Sequence, residues 1–349
     1  MYCDILIIGA GPAGSSTGIE SAKSNLNILM IDKRISIGEP LQCAEYIPKF
    51  LLNEMDISRN SIIQEIENTI IFFPDYTAHE FKTPGYILNR VRFDKELAAN
   101  AVISGVNLKL NTKCISKELN KVCLKSGNII EYVTPGIIIG ADGPLSITGS
   151  WINSQNKHLV YALQHELPIK SLTKTAEIYF STKFKYGYGW FFPKGKTANV
   201  GIGVINTKDS ILGIKTLLKD FCLMLQSIDK VIYKPISTIQ GYIPVGGPLN
   251  ITVKENIILT GDSAGQTNSI TGGGIPQAII CGKIAGKIAS NSLLKNDINF
   301  TEKYETEWRK VYGTSLSRAY NKRIFMENNW DNLNNIINMF WPYFKEYYD

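Results

Sequence analysis

The amino-acid sequence predicts an α/β protein in which a parallel sheet with flanking helices is joined to a second domain built on an antiparallel sheet. The first observation is a buried strand, a glycine-rich turn and a helix within residues 4–24, followed by a second buried strand at 27–32. The second is a succession of strand-like segments between 158 and 242. The third is a strand, a glycine cluster and a long helix between 256 and 294.

The composition is that of an ordinary folded protein. Of 349 residues, 44% are hydrophobic and 19% are charged, a balance that excludes a disordered chain. A chain of this length is expected to form more than one domain. The formal net charge of +6 comes from scattered basic residues, so it gives no support for nucleic-acid binding.

Cysteine spacing and hydropathy narrow the class of protein further. The six cysteines are widely separated and form no C-x-x-C pair, so we expect no bound metal. No apolar run approaches the roughly 18 residues that a membrane span requires. The apolar start at 5–8 is too short for a secretory signal. We therefore expect a cytoplasmic protein with reduced thiols, and peripheral contact with a membrane stays open.

The turn between the first strand and the first helix is typical of dinucleotide binding. Gly9, Gly11 and Gly14 form the pattern G-x-G-x-x-G, with Pro12 and Ala13 before the last glycine. The first glycine permits a tight turn, the second lets the backbone approach a pyrophosphate, and the third allows the helix to pack on the strand. These residues predict the phosphate loop of a Rossmann-like fold.

An acidic residue stands where such a fold binds the adenosine half of its ligand. Asp32 closes the second strand, and Asp32 and the following Lys33 are both candidates for cofactor binding. A carboxylate there accepts hydrogen bonds from the ribose hydroxyls. A glycine pattern alone is weak, but the strand before it, the helix after it and this acid together predict a bound dinucleotide.

A later strand–turn–helix element indicates that the dinucleotide is FAD. The strand at 256–260 leads into Gly261 and Asp262, and a helix follows at 276–294. An acid at that strand end can bind the ribityl chain, and glycines allow the helix N-terminus to approach the flavin ring. The other candidates for cofactor binding in this turn are Gly272, Gly273, Gly274 and Ile275.

A third element completes a pattern that resembles a known group of proteins. Asp142 and Gly143 follow another buried strand, and the segment Arg90-x-x-Phe93-Asp94 precedes it. In this order the elements resemble the p-hydroxybenzoate hydroxylase-type superfamily of FAD-dependent oxidoreductases. The resemblance implies that Arg90, Asp142 and Gly143 lie near FAD. For Arg90, a surface arginine at the start of a helix is the alternative interpretation.

Two further segments resemble the geranylgeranyl reductase family within that superfamily. Tyr188-Gly189-Trp190-Phe191-Phe192-Pro193 is similar to the family pattern Y-x-W-x-F-P and is followed by Asn199-Val200-Gly201-Ile202-Gly203. Gln42-Cys43-Ala44-Glu45 is similar to a family segment R/Q-C-G/A-E. The resemblance covers about residues 1–300. The chain departs from the common pattern at Gln42 and at Ser269, where relatives often have arginine and proline.

The family resemblance implies the reduction of isolated C=C bonds in a prenyl chain carried by a lipid or a quinone. Hydride would come from N5 of the reduced flavin, which an external donor, NAD(P)H or a ferredoxin, must recharge. A proton must reach the neighbouring carbon, because an unactivated alkene cannot hold negative charge. The substrate pocket must therefore be apolar and dry, with one proton donor.

Four residues are the catalytic candidates. Tyr188 and Trp190 alternate along a strand with Phe192, so all three share one face and are expected to line the pocket. Cys43 is the first candidate for the proton donor and Glu45 the second, and Cys43 and Ala44 are also expected to contact FAD. The alternatives are core packing for the aromatic residues, a buried structural thiol for Cys43 and an exposed surface acid for Glu45.

Other functions are compatible with the same fold. A flavin monooxygenase that hydroxylates an aromatic compound is the main alternative, and a non-catalytic FAD protein is a second. A flavin halogenase has less support, because its pattern W-x-W-x-I-P is replaced by Tyr188-x-Trp190-x-Phe192-Pro193. The sequence does not predict the oligomeric state.

The elements predict a discontinuous domain organisation. We expect an FAD-binding domain at 1–58, 88–150 and 245–300, a substrate domain at 59–87 and 151–244, and a helical C-terminal tail at 301–349. The tail carries an aromatic cluster between Phe340 and Tyr348, which is expected to pack on the core, with capping of the pocket or contact with lipid as alternatives.

Overall fold

The computed structural model of the chain describes residues 1–49 and 58–349. Its residues divide into two units. The first unit comprises Met1–Glu39, Val91–Lys157 and Gly246–Arg318, and the second comprises Pro40–Arg90, His158–Val245 and Ala319–Asp349. These units begin and end at other residues than the predicted domains, whose bounds stay a prediction. Residues 50–57 of the predicted first domain lie outside the described residues.

The described residues form the following strands and helices. The strands are β1 (Tyr2–Ile8), β2 (Ile28–Ile31), β3 (Tyr46–Pro48), β4 (Ile62–Phe72), β5 (Ala78–Leu88), β6 (Asn107–Lys109), β7 (Thr112–Glu118), β8 (Lys121–Ser126), β9 (Ile129–Gly140), β10 (Leu159–Pro168), β11 (Thr175–Tyr179), β12 (Gly189–Lys194), β13 (Thr197–Ile205), β14 (Ser237–Pro244), β15 (Val253–Lys254) and β16 (Ile257–Leu259). The helices are α1 (Pro12–Ala22), α2 (Arg90–Ile103), α3 (Ile147–Trp151), α4 (Lys208–Ser227), α5 (Ile275–Leu294), α6 (Lys303–Trp308), α7 (Thr314–Asn328) and α8 (Leu333–Phe340).

A mainly parallel sheet is the centre of the first unit, with the strand order β15-β16-β9-β1-β2-β6. β1 pairs in parallel with β2 and β9, and this register places Ile8 beside both Ile31 and Gly140. Leu259 of β16 lies beside Gly140 in turn. Because all four strands end at one edge of the sheet, the turns that follow them are brought together there.

Apolar side chains on both faces of this sheet explain why its strands read as continuous hydrophobic runs. β1 and β2 are buried between helices on one face and the β7–β8–β9 meander on the other. On the helical face α1 and α5 pack closely: the Thr17 hydroxyl donates to the Gly282 carbonyl at 3.0 Å and the Ser21 hydroxyl to the Gly286 carbonyl at 3.4 Å. The small residues of both helices permit this approach.

The sheet of the second unit has the order β14-β10-β13-β12-β11-β4-β5-β3. Its neighbouring strands are antiparallel except for β11 and β4, which are parallel. Helix α4 covers one face, where Phe191, Leu218 and Phe221 share a hydrophobic core. Alternation along β12 directs Trp190 and Phe192 to the opposite face.

The C-terminal aromatic cluster packs within the second unit. Phe340, Trp341 and Tyr347 are buried. The Phe344 ring lies 4.8 Å from the ring of Phe81 on β5, measured between centroids. The expected core packing of this cluster agrees with its burial, although Tyr348 is exposed.

The predicted fold class is confirmed, with a Rossmann-like unit, a second unit on a largely antiparallel sheet and a helical C-terminal region. Within residues 1–49 and 58–349, no helix is both long and apolar enough to cross a bilayer. No cluster of His, Cys, Asp and Glu side chains suited to a metal ion occurs in that part of the chain either.

Replacing Gly14 by alanine is expected to destabilise the first unit and abolish flavin binding. A Cβ at this position would lie 1.8 Å from the Gly9 carbonyl oxygen, so α1 would have to move away from β1. Such overpacking costs about 1–3 kcal/mol. The measurements are thermal unfolding and the flavin absorbance of the purified protein.

Gly213→Ala in α4 is the matched control. A Cβ there meets nothing within 4 Å, so the substitution should keep or raise stability, by up to about 1 kcal/mol, with full flavin content. A flavin content in Gly14→Ala equal to that of the control would contradict the assigned packing.

Candidate functional site

Asp32 lies against the phosphate loop in the first unit. Its Oδ2 accepts a hydrogen bond from the Ala10 backbone N–H at 2.9 Å, and its Oδ1 accepts one from the Arg34 N–H at 2.9 Å. The carboxylate is buried at the edge predicted for the adenosine ribose, whereas Lys33 is exposed. Each oxygen keeps capacity for a second donor, so the arrangement is compatible with the predicted ribose contact.

The N-terminus of α1 is open to a ligand. Its N-cap is Gly11, no side chain caps it, and Pro12 occupies the first turn without an acidic neighbour. A Cβ at Gly11 would meet nothing within 4 Å, which leaves open space beside the loop. Uncapped backbone donors and the helix dipole favour an anion at this position. The pyrophosphate of FAD is compatible with this position, and contact with it by Gly9, Gly11, Pro12, Ala13 and Gly14 stays a prediction.

The N-terminus of α5 has the same character. Its N-cap is Gly274, again without a side-chain cap and without an acid in the first turn that begins at Ile275. Asp262 is half-buried beside it: a Cβ on Gly274 would lie 3.0 Å from the Asp262 Oδ1, which accepts a hydrogen bond from the Thr267 hydroxyl at 2.8 Å. An acid and a helix N-terminus side by side fit the ribityl chain and the electron-rich edge of a flavin. The same turns carry the predicted cofactor residues Gly261, Gly272 and Gly273.

Asp142 has a structural task that sequence analysis did not find. Its Oδ1 accepts hydrogen bonds from the hydroxyls of Ser146 at 2.6 Å and Thr148 at 2.7 Å. Its Oδ2 accepts the backbone N–H groups of Ile147 at 2.8 Å and Thr148 at 3.1 Å. These four bonds hold the start of α3, and the signal in the sequence was an acid followed by Ser146. Cofactor contact by Asp142 and Gly143 stays a prediction.

An aromatic row runs along β12 in the second unit. The ring centroids of Tyr188 and Trp190 are 6.0 Å apart, and those of Trp190 and Phe192 are 6.4 Å apart. Tyr46 from β3 extends the row, with its ring 5.5 Å from Phe192. This row lies on the face of β12 away from the α4 core, to which Phe191 belongs, and Trp190 and Phe192 are themselves buried.

Gly201 makes room for the Trp190 indole. The two residues face each other across β12 and β13. A Cβ at Gly201 would lie 2.3 Å from the indole and 2.5 Å from the Cβ of Gln164. Gly201 of the Asn199-Val200-Gly201-Ile202-Gly203 segment is therefore the residue against which the indole packs, and the packing requires that it has no side chain.

Gln164 links the aromatic row to the Cys43 loop. The Trp190 indole N–H donates to the Gln164 side-chain oxygen at 3.0 Å, and the Gln164 amide donates to the Cys43 carbonyl at 3.4 Å. Gln164 is buried in β10. Its role was not predicted from the sequence, because His165 and Glu166 follow it in the same strand and a glutamine among them does not stand out.

Cys43 presents a protonated thiol. All six cysteines of the chain are described, and Cys43 is the one that is not fully buried. Its Sγ accepts a hydrogen bond from the Glu45 backbone N–H at 3.2 Å. Burial raises the pKa of the Cys43 thiol, and nearby Arg90 offsets part of this effect. The thiol therefore keeps its proton near neutral pH, while Arg90 favours the thiolate that proton transfer would leave.

Glu45 is buried, so its interpretation as an exposed surface acid is wrong. Its Oε1 accepts a hydrogen bond from the Arg90 backbone N–H at 3.1 Å. Its Oε2 accepts one from the Asn199 amide at 3.0 Å and pairs with the Lys194 ammonium at 2.6 Å. The Asn199 amide also donates to the Ala44 carbonyl at 3.1 Å, so Ala44 and Glu45 are both tied to β13.

Tyr188 is held as a neutral phenol. Burial raises its pKa above the ordinary range, and nearby Arg323 offsets part of this rise. The indole of Trp341 packs edge-on against its ring at 5.2 Å between centroids. The Tyr188 side chain is therefore uncharged and offers a mainly apolar ring surface.

Comparisons of this sequence with known proteins find relatives of one family. Residues 162–241 match the sequence model of the geranylgeranyl reductase catalytic domain. The chain is 32% identical to a digeranylgeranylglycerophospholipid reductase of Methanococcus aeolicus, over 88% of this chain and 82% of that protein. It is 33% identical to a protein of the same name from Methanocaldococcus jannaschii, over 93% of this chain and 86% of the relative.

Solved structures show the same fold. A geranylgeranyl bacteriochlorophyll reductase-like protein from Thermoplasma acidophilum superposes with a TM-score of 0.85 at 27% identity, covering 99% of this chain and 93% of that chain. A flavin-dependent brominase superposes with a TM-score of 0.74 at 15% identity, covering 96% and 93%. At that identity the brominase shows the fold alone.

Asp262→Ala is expected to weaken flavin binding by roughly 10- to 100-fold, since a hydrogen bond to a charged group contributes about 1.5–3 kcal/mol. Titration of the apoprotein with FAD measures the change. Asp209→Ala is the control, because Asp209 lies in the first turn of α4 in the second unit. Equal FAD affinities of the two variants would remove Asp262 from the cofactor site.

Gly201→Ala is expected to push the Trp190 indole out of place, since the added Cβ would overlap it, and to slow turnover by at least about tenfold while flavin stays bound. Tryptophan fluorescence and flavin content are the measurements. Gly241→Ala on β14 is the control, because a Cβ there makes only an ordinary contact of 3.5 Å with Gln42. Unchanged fluorescence and turnover in Gly201→Ala would contradict the assigned contact.

Proposed function

Because this chain belongs to the geranylgeranyl reductase family of FAD-dependent oxidoreductases, we propose that it reduces isolated C=C bonds in the prenyl chains of a glycerophospholipid. The observation that carries the proposal is the aromatic row of β12, linked through Gln164 to the backbone carbonyl of Cys43. The row lies within the segment that matches the family's catalytic domain. The names of the relatives support a phospholipid rather than a quinone as the substrate.

The aromatic row suits both the ground state and the charge that develops on an alkene. A prenyl chain is apolar, and the faces of Tyr188, Trp190 and Phe192 bury it away from water. Protonation of a trisubstituted alkene places positive charge on its more substituted carbon. Aromatic faces attract such charge, and an indole does so most strongly. When bound and reduced, FAD supplies the hydride from its N5 atom.

Cys43 is the proton donor in this proposal. The S–H bond of the thiol breaks as the new C–H bond forms, and the electron pair stays on sulfur as a thiolate beside Arg90. Water returns the proton afterwards. One hydride and one proton together add two hydrogens to each double bond, and the cysteine is regenerated.

An external donor must restore the reduced cofactor, and we propose a nicotinamide or a ferredoxin for this step. The sequence has no second G-x-G-x-x-G pattern, which favours a donor that binds transiently. Since phospholipids reside in membranes, we further propose peripheral contact with the membrane surface, supported by the net charge of +6.

An anaerobic single-turnover experiment tests the function. The purified flavoprotein is reduced with dithionite and mixed with a phospholipid that carries geranylgeranyl chains. Reoxidation of the flavin without oxygen, with a gain of two mass units for each bond reduced, is expected. If the flavin stays reduced until air is admitted and an aromatic compound is then hydroxylated, the reductase proposal is overturned in favour of a monooxygenase.

Cys43→Ala is expected to keep full flavin content and to slow turnover by roughly 100-fold, in the range of general acid catalysis. Cys222→Ala is the control, because Cys222 is buried in the α4 core. Equal rates of Cys43→Ala and wild type would return Cys43 to a structural role.

The pH dependence follows from the raised pKa of Cys43. The donor is active in its protonated form, so the rate should hold through neutral pH and fall as the pH rises through the raised pKa. The alkaline limb should disappear in Cys43→Ala. An alkaline limb that persists unchanged in this variant would assign it to another group.

A further inference from the structure

Glu45 adopts a left-handed backbone conformation, which is unfavourable for a residue other than glycine. Its φ of 71° lies in the left-handed region, where a side chain is unfavourable. In this conformation its N–H points to the Cys43 Sγ at 3.2 Å, while its carbonyl accepts a hydrogen bond from the Leu88 N–H at 2.9 Å. The turn at Glu45 therefore connects the thiol directly to the β3–β5 pair.

The Glu45 carboxylate compensates for this conformation by its buried contacts. The side chain of Glu45 is 1% exposed and that of Lys194 is 14% exposed. The three donors to the carboxylate come from Arg90, Asn199 and Lys194. A carboxylate buried to this degree is stable only when it is paired and hydrogen-bonded, so the turn depends on its partners.

Lys194 is itself fixed in place. Its ammonium lies 3.6 Å from the Glu166 Oε2, and the Thr197 hydroxyl donates to the Glu166 Oε1 at 2.8 Å. Lys194 is also the last residue of β12, the strand of the aromatic row. The row and the Cys43 loop are thus joined at two points, through Gln164 and through the pair of Lys194 with Glu45.

We propose that Glu45 and Lys194 form a positioning pair that holds the Cys43 thiol in its place, and that Glu45 does not carry the substrate proton. This inference rests on the proposed function for its consequence in turnover. The Glu45 carboxylate is held by the Arg90 N–H, the Asn199 amide and the Lys194 ammonium, and all three contacts tie it to the protein rather than to the Cys43 thiol. The role of Glu45 is therefore to fix the turn through which Cys43 acts.

Alkylation of Cys43 tests the pair independently of turnover. The flavin-loaded protein is treated with iodoacetamide, and each cysteine is followed by peptide mass spectrometry. Glu45→Gln and Lys194→Met should each release the turn and raise the alkylation rate of Cys43 at least about fivefold. Lys174→Met is the control, since Lys174 pairs with Glu67 at the same 2.6 Å but both side chains are exposed.

The double variant Glu45→Gln with Lys194→Met separates a pair from two independent residues. It lacks the same ion pair as either single variant, so its Cys43 rate should stay within about twofold of the faster single variant. Single-variant rates equal to that of Lys174→Met, or a double variant whose rate is the product of the two single effects, would overturn the pair. Loss of turnover in Glu45→Gln with unchanged Cys43 alkylation would make Glu45 the proton carrier instead.

The five buried cysteines report unfolding. Local release of the turn exposes Cys43 alone, whereas a protein that unfolds exposes all six. If Lys194→Met unfolds, Glu45→Asp decides, because the shorter carboxylate withdraws from Lys194: selective exposure of Cys43 supports the pair and unchanged alkylation rejects it. Should the prenyl reductase proposal fail while this alkylation pattern holds, the pair stands without it.

Discussion

The packing of the Trp190 indole on Gly201 is the constraint on which the site of the second unit depends. With no Cβ beneath it, the indole lies flat enough for its N–H to reach Gln164, and the Gln164 amide then reaches the Cys43 carbonyl. A methyl group at Gly201 would displace the Trp190 indole and, through their hydrogen bonds, Gln164 and the Cys43 loop. The absence of a side chain at Gly201 of β13 is therefore required for the positions of both the Trp190 indole and the Cys43 loop.

In the first unit the main feature is a pair of helix N-termini that no side chain caps. These N-termini, at Gly11 and Gly274, lack the side-chain caps that helices usually have. Asp262 lies beside one such end, while the carboxylate of Asp142 is consumed by capping α3. Leaving two helix ends uncapped costs stability in the absence of a ligand, and an anionic dinucleotide restores it by binding there.

Local sequence was sufficient for much of the fold. The strand–glycine–helix pattern around Gly9 and the strand before Gly261 predicted the parallel sheet, because their meaning is contained within about 30 residues. The alternation of Tyr188, Trp190 and Phe192 likewise placed them on one face. The bounds of the domains do not follow from such patterns, since they depend on which distant segments pack together.

The partners of Glu45 were beyond the reach of sequence analysis for the same reason. Lys194 and Asn199 are far from Glu45 in the chain and belong to strands of ordinary composition. A lysine after a proline reads as a solvated strand end, and only the fold shows that it is mostly buried against a carboxylate. Gln164 was missed because it stands beside His165 and Glu166 in β10, and the sequence does not show which of these polar residues is buried.

The proposed function requires that Cys43 lies where the prenyl chain binds. Protection of Cys43 from iodoacetamide tests it most directly, using flavin-loaded protein with a detergent-solubilised phospholipid carrying geranylgeranyl chains. The same headgroup with short saturated chains is the control. We expect the prenyl lipid to slow Cys43 alkylation at least about fivefold and the control lipid to leave it unchanged. Equal alkylation rates with both lipids at saturating concentration would contradict it.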